Sequence, residues 1–179
     1  MLAGWRPEST EQDSLRYAFL SYLAARQDGC RRSCVPGHLT ASVALVDAAG
    51  ERLLLTLHPR VGRWLQLGGH CEDGDATLAA AALREATEES GIDGITIDPR
   101  PLNLAVHPIT CSLGLPTHHL DVRFLAVAPA GATPRRSDES LDLRWWSRSE
   151  LGAAAVAPDV PVLAAAAVRR LPVHGPSCS

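Results

Sequence analysis

The order of apolar and polar positions predicts a chain of short strands and helices. Apolar residues recur at helical spacing after the polar pair Ser9-Thr10, which predicts an amphipathic helix over 11–27. The aliphatic runs 39–47 and 51–57 flank a turn and predict a β-hairpin. A further short strand is predicted at 64–67, and we expect Gly68-Gly69 to break it.

The second half of the chain continues this pattern. The segment 76–90 has the clearest helical periodicity, with Asp75 as the expected N-cap and Gly91 as the expected end. The sequence Ser147-Arg148-Ser149-Glu150 matches a capping box and predicts a helix immediately after it. Four more strands and a C-terminal helix are predicted at 95–98, 102–107, 119–128, 141–146 and 161–170.

Strands interspersed with helices indicate a layered α/β or α+β fold. The sequence shows neither repeats nor an interdomain linker, so we expect a single domain over 1–179. Within it, 1–35 is expected to be an N-terminal helical extension and 171–179 a disordered tail.

Composition narrows the classes of function. The net charge is -3, which disfavours a nucleic acid polymer or an anionic membrane as the partner and favours a small molecule. All 17 basic residues are arginine. Schiff-base catalysis by lysine and a phosphate loop that needs Gly-Lys are therefore excluded.

The five cysteines are odd in number and lack the spacing of a disulfide scaffold. No secretory signal and no apolar run of membrane-spanning length is recognisable, so we expect a cytoplasmic protein with free thiols. Cys30, Cys34 and His38 are residue types that bind zinc, but no fourth ligand lies near them in the sequence. We interpret the two cysteines as half-buried thiols and His38 as structural.

Three glutamates, Glu85, Glu88 and Glu89, lie within about 100° of arc on the helix predicted over 76–90. They border its apolar stripe, where water screens their mutual repulsion poorly. Arg84 alone cannot neutralise three carboxylates, whereas a hard divalent cation can. A solvated charged helix face is the alternative. The glycine pair upstream favours the metal site, because glycine lets a ligand approach the backbone closely.

The run from Gly69 to Ile92 has the form G(x5)D(x8)REATEESGI. It resembles the signature of the Nudix (MutT-like) hydrolases, G(x5)E(x7)REUxEExGU, where U is a bulky aliphatic residue. The resemblance implies an α/β/α sandwich with a central mixed sheet, to which an N-terminal and a C-terminal helix would be added. It also implies hydrolysis of a diphosphate linkage in a nucleoside diphosphate derivative, by attack of water at phosphorus with Mg²⁺ or Mn²⁺.

The resemblance also assigns roles within the signature. Glu88, Glu89 and the carbonyl of Gly69 would bind the metal, and Arg84 would orient the carboxylates. Glu85 would be a further ligand or the base that activates water.

The chain departs from the family signature in three ways. Asp75 replaces glutamate, eight residues rather than seven separate it from Arg84, and Ala86 replaces a bulky aliphatic residue. The longer loop would bulge to compensate for the shorter side chain, or Glu72 would serve in place of Asp75.

Candidates outside the signature complete the predicted site. Glu139, with Asp138 as the alternative, resembles the acidic ligand or base that family members take from a late loop. Trp64 is interpreted as packing on the sheet rather than stacking on a base. The residues expected to contact substrate are Arg60, Arg63, His70, His119, Asp121 and Arg123.

Two other functions remain open from the sequence. One is an isomerase of the isopentenyl diphosphate type, to which Cys71 beside the signature gives a weak link. The other is a nucleotide-sensing module without turnover, against which the intact glutamates argue. A homodimer is compatible with either function.

Overall fold

The computed structural model describes residues 1–110 and 114–171 and contains one eight-stranded sheet. A short 3-10 helix at Leu2–Gly4 comes before the three α-helices, which are α1 (Thr10–Ala25), α2 (Leu78–Ser90) and α3 (Val160–Arg170). The strands are β1 (His38–Val46), β2 (Arg52–Leu57), β3 (Trp64–Leu65), β4 (Leu67–His70), β5 (Thr96–Ile97), β6 (Asn103–Thr110), β7 (Pro116–Val127) and β8 (Asp142–Ser147).

The sheet is built around the parallel pair of β1 and β7. Their register runs from His38 opposite His119 to Val46 opposite Val127. On its other edge β1 pairs antiparallel with β4 and, at its end, with β2. β2 continues to β3 and β8, while β7 continues to β5 and β6. The sheet is therefore mixed.

Helices cover both faces of the sheet, and side-chain alternation along β1 decides which residues face which layer. Leu39, Ala41 and Val43 share a core cluster with α1 and α2. Ala44 and Val46 belong to a second cluster that contains α3. This three-layer arrangement confirms the predicted α/β/α sandwich.

Helix α1 is tied to the sheet edge as well as packed on it. Ser9 caps its N-terminus by accepting a hydrogen bond from the Gln12 amide. The Gln12 side chain donates to the Leu104 carbonyl at 3.0 Å and accepts from the Leu104 amide. One glutamine thus satisfies both backbone groups of a residue in β6.

The predicted elements are present, with three corrections. Helix α2 begins at Leu78 with Thr77 as its N-cap, because Asp75 binds Arg84 instead. Gly68 and Gly69 do not break a strand; they lie within β4 and pair with Ser42 and Ala41.

The third correction concerns the predicted capping box. Glu150 does accept hydrogen bonds from the Ser147 amide and hydroxyl, but 148–152 form turns rather than a helix. Gly152 and Pro158 follow too closely for a helix to extend. Helix α3 begins at Val160 as expected from the sequence, whereas most of the predicted tail, 172–179, lies outside the described residues.

Within the described part of the chain, none of the helices combines the length and apolar character that crossing a bilayer requires.

Candidate active site

Strand β4 and helix α2 approach each other closely at Gly68 and Gly69. A Cβ added to Gly69 would stand 2.6 Å from the carboxyl carbon of Glu85. Gly68 has a φ of 150°, and a Cβ there would overlap the backbone of Ser42. Its amide donates a hydrogen bond to Oε2 of Glu89 at 3.0 Å. The glycine pair therefore lets both carboxylates lie directly against the strand.

The three glutamates differ in burial. Glu89 is buried, Glu85 is half-buried and Glu88 is exposed. Burial is the main cause that raises the pKa of Glu89 to about 8; the charges of Glu85, Glu139 and Glu88 contribute to the rise, and the Gly68 hydrogen bond opposes it. Burial also raises the pKa of Glu85. Ionisation of Glu85 and Glu89 in the folded protein therefore costs free energy.

Arg84 is the centre of an ion-pair network at the same site. Its Nη1 donates to Glu85 at 3.0 Å and to Glu88 at 3.1 Å, and its Nη2 donates to the His70 carbonyl at 2.9 Å. Its Nε and Nη2 bind the two oxygens of Asp75 at 3.2 and 3.0 Å. Arg84 therefore links the loop after β4 to two of the glutamates.

Asp75 reaches Arg84 despite its shorter side chain. The Asp75 amide donates to the Glu72 carbonyl, and the Glu72 amide donates back to Oδ2 of Asp75 at 2.8 Å. This tight turn holds the Asp75 carboxylate against the backbone of the loop. Hydrogen bonding to Arg84 lowers the pKa of Asp75. The Glu72 side chain, the alternative considered from the sequence, is exposed and lies 3.8 Å from Arg84.

Glu139 comes near the helix carboxylates from the loop before β8. Its charge is among the causes that raise the pKa of both Glu85 and Glu89. The residue is exposed, as is Asp138 beside it. A fourth carboxylate thus lies close enough to act electrostatically on Glu85 and Glu89.

These donors fit a hard divalent cation. Carboxylate oxygens are the ligands that Mg²⁺ and Mn²⁺ prefer, and the exposed position of Glu88 leaves room for the waters that Mg²⁺ retains. The single guanidinium of Arg84 is shared among three carboxylates. A cation would also offset the charge that burial makes unfavourable at Glu85 and Glu89.

The two loop arginines predicted to contact substrate have different surroundings. Arg60 is exposed, and its backbone amide donates to His58. The Arg63 guanidinium donates to the Ala154 carbonyl at 3.0 Å and so fastens the turn segment ahead of α3. Arg60 is therefore the more accessible of the two for a phosphate.

Asp121 and Arg123 form a buried network on the α3 side of the sheet. Asp121 accepts hydrogen bonds from Thr40 at 3.1 Å, Ser42 at 2.7 Å and Arg123 at 3.0 Å. Arg123 is 2% exposed and also binds Asp159 at the start of α3. The guanidinium is thus already paired with two carboxylates, and this geometry does not favour the phosphate contact expected from the sequence.

His70 and His119 meet a third histidine, His38, on the same side of the sheet. The ring centroids are 5.1 Å apart for His38 and His70, 5.0 Å for His38 and His119, and 4.9 Å for His70 and His119. Burial lowers the pKa of His70 to about 3 and that of His119 to about 4. Local sequence patterns do not predict this group, because the pairing of β1 with β4 and β7 brings its members together.

Trp64 packs on the sheet, as interpreted from the sequence. Trp64 is buried and contacts Trp146 edge-on, with centroids 5.1 Å apart. Trp146 belongs to the α3-side cluster, whereas Trp145 packs on the opposite cluster. Trp64 is therefore a core residue.

Comparison with known proteins places this geometry in a family. Residues 36–170 match the family model described as the NUDIX domain. A NUDIX-family hydrolase from Clostridium perfringens is 27% identical and aligns over 74% of this chain and 96% of its own, with a TM-score of 0.56. No curated protein matches the chain.

Two more distant structures share the fold. The MutT protein of Methanosarcina mazei is 19% identical, with a TM-score of 0.59 over 76% of this chain and 96% of its own. The NUDIX domain of NrtR from Shewanella oneidensis, solved with ADP-ribose, is 20% identical, with a TM-score of 0.53 over 86% of this chain and 98% of its own.

Proposed function

The chain belongs to the Nudix family of pyrophosphohydrolases, and we propose that it hydrolyses the diphosphate linkage of a nucleoside diphosphate derivative with Mg²⁺ or Mn²⁺. The observation that carries this proposal is the contact of Glu85 and Glu89 with the glycine pair of β4. The match begins at residue 36, which supports treating 1–35 as an extension of a single domain.

Hydrolysis of a phosphoanhydride is an in-line substitution at phosphorus in which the protein positions the reactants and offsets negative charge. A divalent cation, when bound, would neutralise phosphate oxygens and lower the pKa of the attacking water. Glu85, Glu88 and Glu89 are the side chains that would hold it, together with the carbonyl of Gly69.

The remaining residues of the site would orient the carboxylates and the substrate and would accept a proton from the attacking water. Arg84 holds Glu85, Glu88 and Asp75 in fixed relative orientation, so the carboxylates need little rearrangement when substrate binds. Glu85 and Glu139 are the candidates for accepting a proton from water. Because these carboxylates interact, their titration belongs to the group rather than to one residue. Arg60, exposed in its loop, would contact a phosphate.

The isomerase alternative is less well supported by the surroundings of Cys71. Burial raises the pKa of this thiol to about 11, so at neutral pH it is protonated. Its side chain packs against the core cluster beneath α2. Neither feature suits a reactive cysteine.

A nucleotide sensor is the second candidate, and one comparison concerns the class of ligand that it would bind. The NrtR domain was solved in complex with ADP-ribose. That likeness concerns the fold, whereas the preserved carboxylate cluster favours turnover. A nucleotide ligand suits either function.

A substrate panel separates these functions. The protein would be incubated with ADP-ribose, nucleotide sugars, dinucleotides, CDP-alcohols and nucleoside triphosphates, with Mg²⁺ or Mn²⁺, and phosphate would be measured after phosphatase coupling. Reaction in ¹⁸O-labelled water would then show by mass spectrometry which phosphorus is attacked. Turnover of one member that chelation abolishes is the expected result. Tight binding of one member without turnover of any would overturn hydrolysis in favour of sensing.

A further inference from the structure

Three histidine rings converge where β1, β4 and β7 lie side by side. The parallel register puts His38 opposite His119, and the antiparallel register puts His70 opposite Thr40, two residues along β1 from His38. One ring nitrogen from each histidine can be chosen so that all three atoms lie within 4.8 Å of one another. The sheet itself therefore holds the three rings together.

The Nε2 atoms of these rings are buried and lack hydrogen-bond partners among the described residues. His38 is 1% exposed, and its Nδ1 lies 3.2 Å from the Cys34 carbonyl. A carbonyl can only accept, so Nδ1 carries the proton and Nε2 presents a bare lone pair. A hydrogen bond of this kind at Nδ1 is the usual support of a histidine that binds a metal through Nε2.

We propose that His38, His70 and His119 bind a transition-metal dication of the zinc class. Neutral imidazoles suit zinc, cobalt, nickel and copper, whereas magnesium prefers carboxylates and water. Three rings held about 2.0–2.1 Å from a tetrahedral ion by their nitrogens have centroids roughly 5 Å apart. The observed separations of 4.9, 5.0 and 5.1 Å match this arrangement.

Three protein ligands leave one coordination position for water or another small ligand. Among the ionisable groups outside the cluster, Arg32 acts electrostatically on His70 and His119, and Asp121 and His107 act on His119.

This site is separate from the carboxylate site, although they share strand β4. A Cβ on Gly69 would point at Glu85, and alternation along the strand turns the His70 side chain to the opposite face. The backbone joins the two sites through the His70 carbonyl, which accepts a hydrogen bond from Arg84. A metal at the histidines would therefore hold the carbonyl that positions Arg84.

Cobalt binding tests the proposal without a substrate. Metal-free protein, kept in excess Mg²⁺ to occupy the carboxylates, would be titrated with Co²⁺ and followed by visible absorption, and Zn²⁺ would then be added to displace the cobalt. We expect one Co²⁺ per chain with the absorption of a four-coordinate site, and release by Zn²⁺. His70→Gln and His119→Gln should each weaken Co²⁺ binding by at least about 100-fold.

Two matched variants give the control. His118→Gln changes the exposed neighbour of His119, and Glu89→Gln changes the carboxylate site, so both should bind Co²⁺ like the parent protein. Circular dichroism and thermal unfolding without metal would show that each variant is folded. Equal Co²⁺ affinity in the parent and both ligand variants, or loss of Co²⁺ binding in Glu89→Gln alone, would overturn the proposal.

Discussion

Arg84 holds Asp75 by two parallel hydrogen bonds, from Nε to Oδ1 at 3.2 Å and from Nη2 to Oδ2 at 3.0 Å. The same Nη2 donates to the carbonyl of His70, which ends β4 five residues before Asp75. Both ends of the loop between β4 and α2 are thus fastened to one guanidinium. Arg84 thereby fixes the position of the loop relative to the glutamates on α2.

Asp75→Asn should weaken this attachment, because an amide replaces one charged acceptor by a donor that faces the guanidinium. We expect unfolding to become easier by about 1–2 kcal/mol and kcat/KM to fall roughly 10-fold. Chemical denaturation and steady-state kinetics would measure both. Asp73→Asn, at an exposed position in the same loop, is the control. Equal effects of the two substitutions would contradict a special role for Asp75.

Gly69→Ala should separate activity from stability. The new Cβ would meet the carboxylate of Glu85, which is the flexible end of a side chain and can rotate away. We expect the thermal midpoint to change little while kcat falls about 10-fold or more, because the carboxylate leaves its place. Gly74→Ala, where a Cβ would meet nothing within 4 Å, should leave both unchanged.

Gly68→Ala, unlike Gly69→Ala, should mainly lower the stability of the fold. Its φ of 150° and the contact with the Ser42 backbone make any side chain there a strain on the strand itself. We therefore expect a lower thermal midpoint by differential scanning calorimetry. A stable Gly68→Ala protein would show that β4 does not need this close approach to β1.

Above about pH 6.5, where His70 and His119 are neutral in the folded and the unfolded protein alike, the stability of the metal-free protein should fall with rising pH. Burial raises the pKa of Glu89 from 4.5 to about 8, so the folded protein binds more protons than the unfolded chain between these values. The stabilising contribution is complete below about pH 4.5 and is lost as the pH rises through about 8. Mg²⁺ replaces the proton, so the increase in thermal midpoint that Mg²⁺ gives should grow over the same range.

Thermal unfolding in chelator and in Mg²⁺, at a series of pH values, would measure this effect. The isosteric Glu89→Gln should flatten the fall in stability of the metal-free protein between about pH 6.5 and 8. A dependence as steep in the variant as in the parent would mean that another group is responsible.

Arg123→Met should destabilise the fold rather than weaken substrate binding. The substitution leaves Asp121 buried and Asp159 without their shared cation, and breaking a buried pair in this way costs about 3 kcal/mol or more. Urea denaturation would measure the loss. Arg60→Ala, at an exposed loop position, should instead raise KM and leave stability unchanged. A higher KM for Arg123→Met at full stability would show instead that Arg123 contacts the substrate.

The sequence predicted features that neighbouring residues determine better than features that depend on contacts between residues far apart in the chain. The helix with Glu85, Glu88 and Glu89 and its end at Gly91 follow from local periodicity and from the left-handed conformation that glycine adopts there. The predicted start of the same helix is wrong, because the Asp75 side chain binds Arg84 rather than capping the helix amides.

The histidine group shows what local patterns do not contain. His38 precedes His70 by 32 residues and His119 by 81, and only strand pairing brings them together. Similarly, Asp121 and Arg123 have the residue types of a substrate site, but their position between the sheet and α3 pairs them with each other. Alternation predicts that two residues share a face, whereas topology decides what covers that face.

The most direct test of the central claim is the turnover of Glu89→Gln on whichever diphosphate substrate the panel identifies. The variant keeps the shape of the side chain and removes the charge that would bind the metal. We expect kcat to fall by about 100-fold or more in saturating Mg²⁺, with an unchanged circular dichroism spectrum. Parental kcat in a folded Glu89→Gln protein would show that the carboxylates of α2 are not the catalytic site.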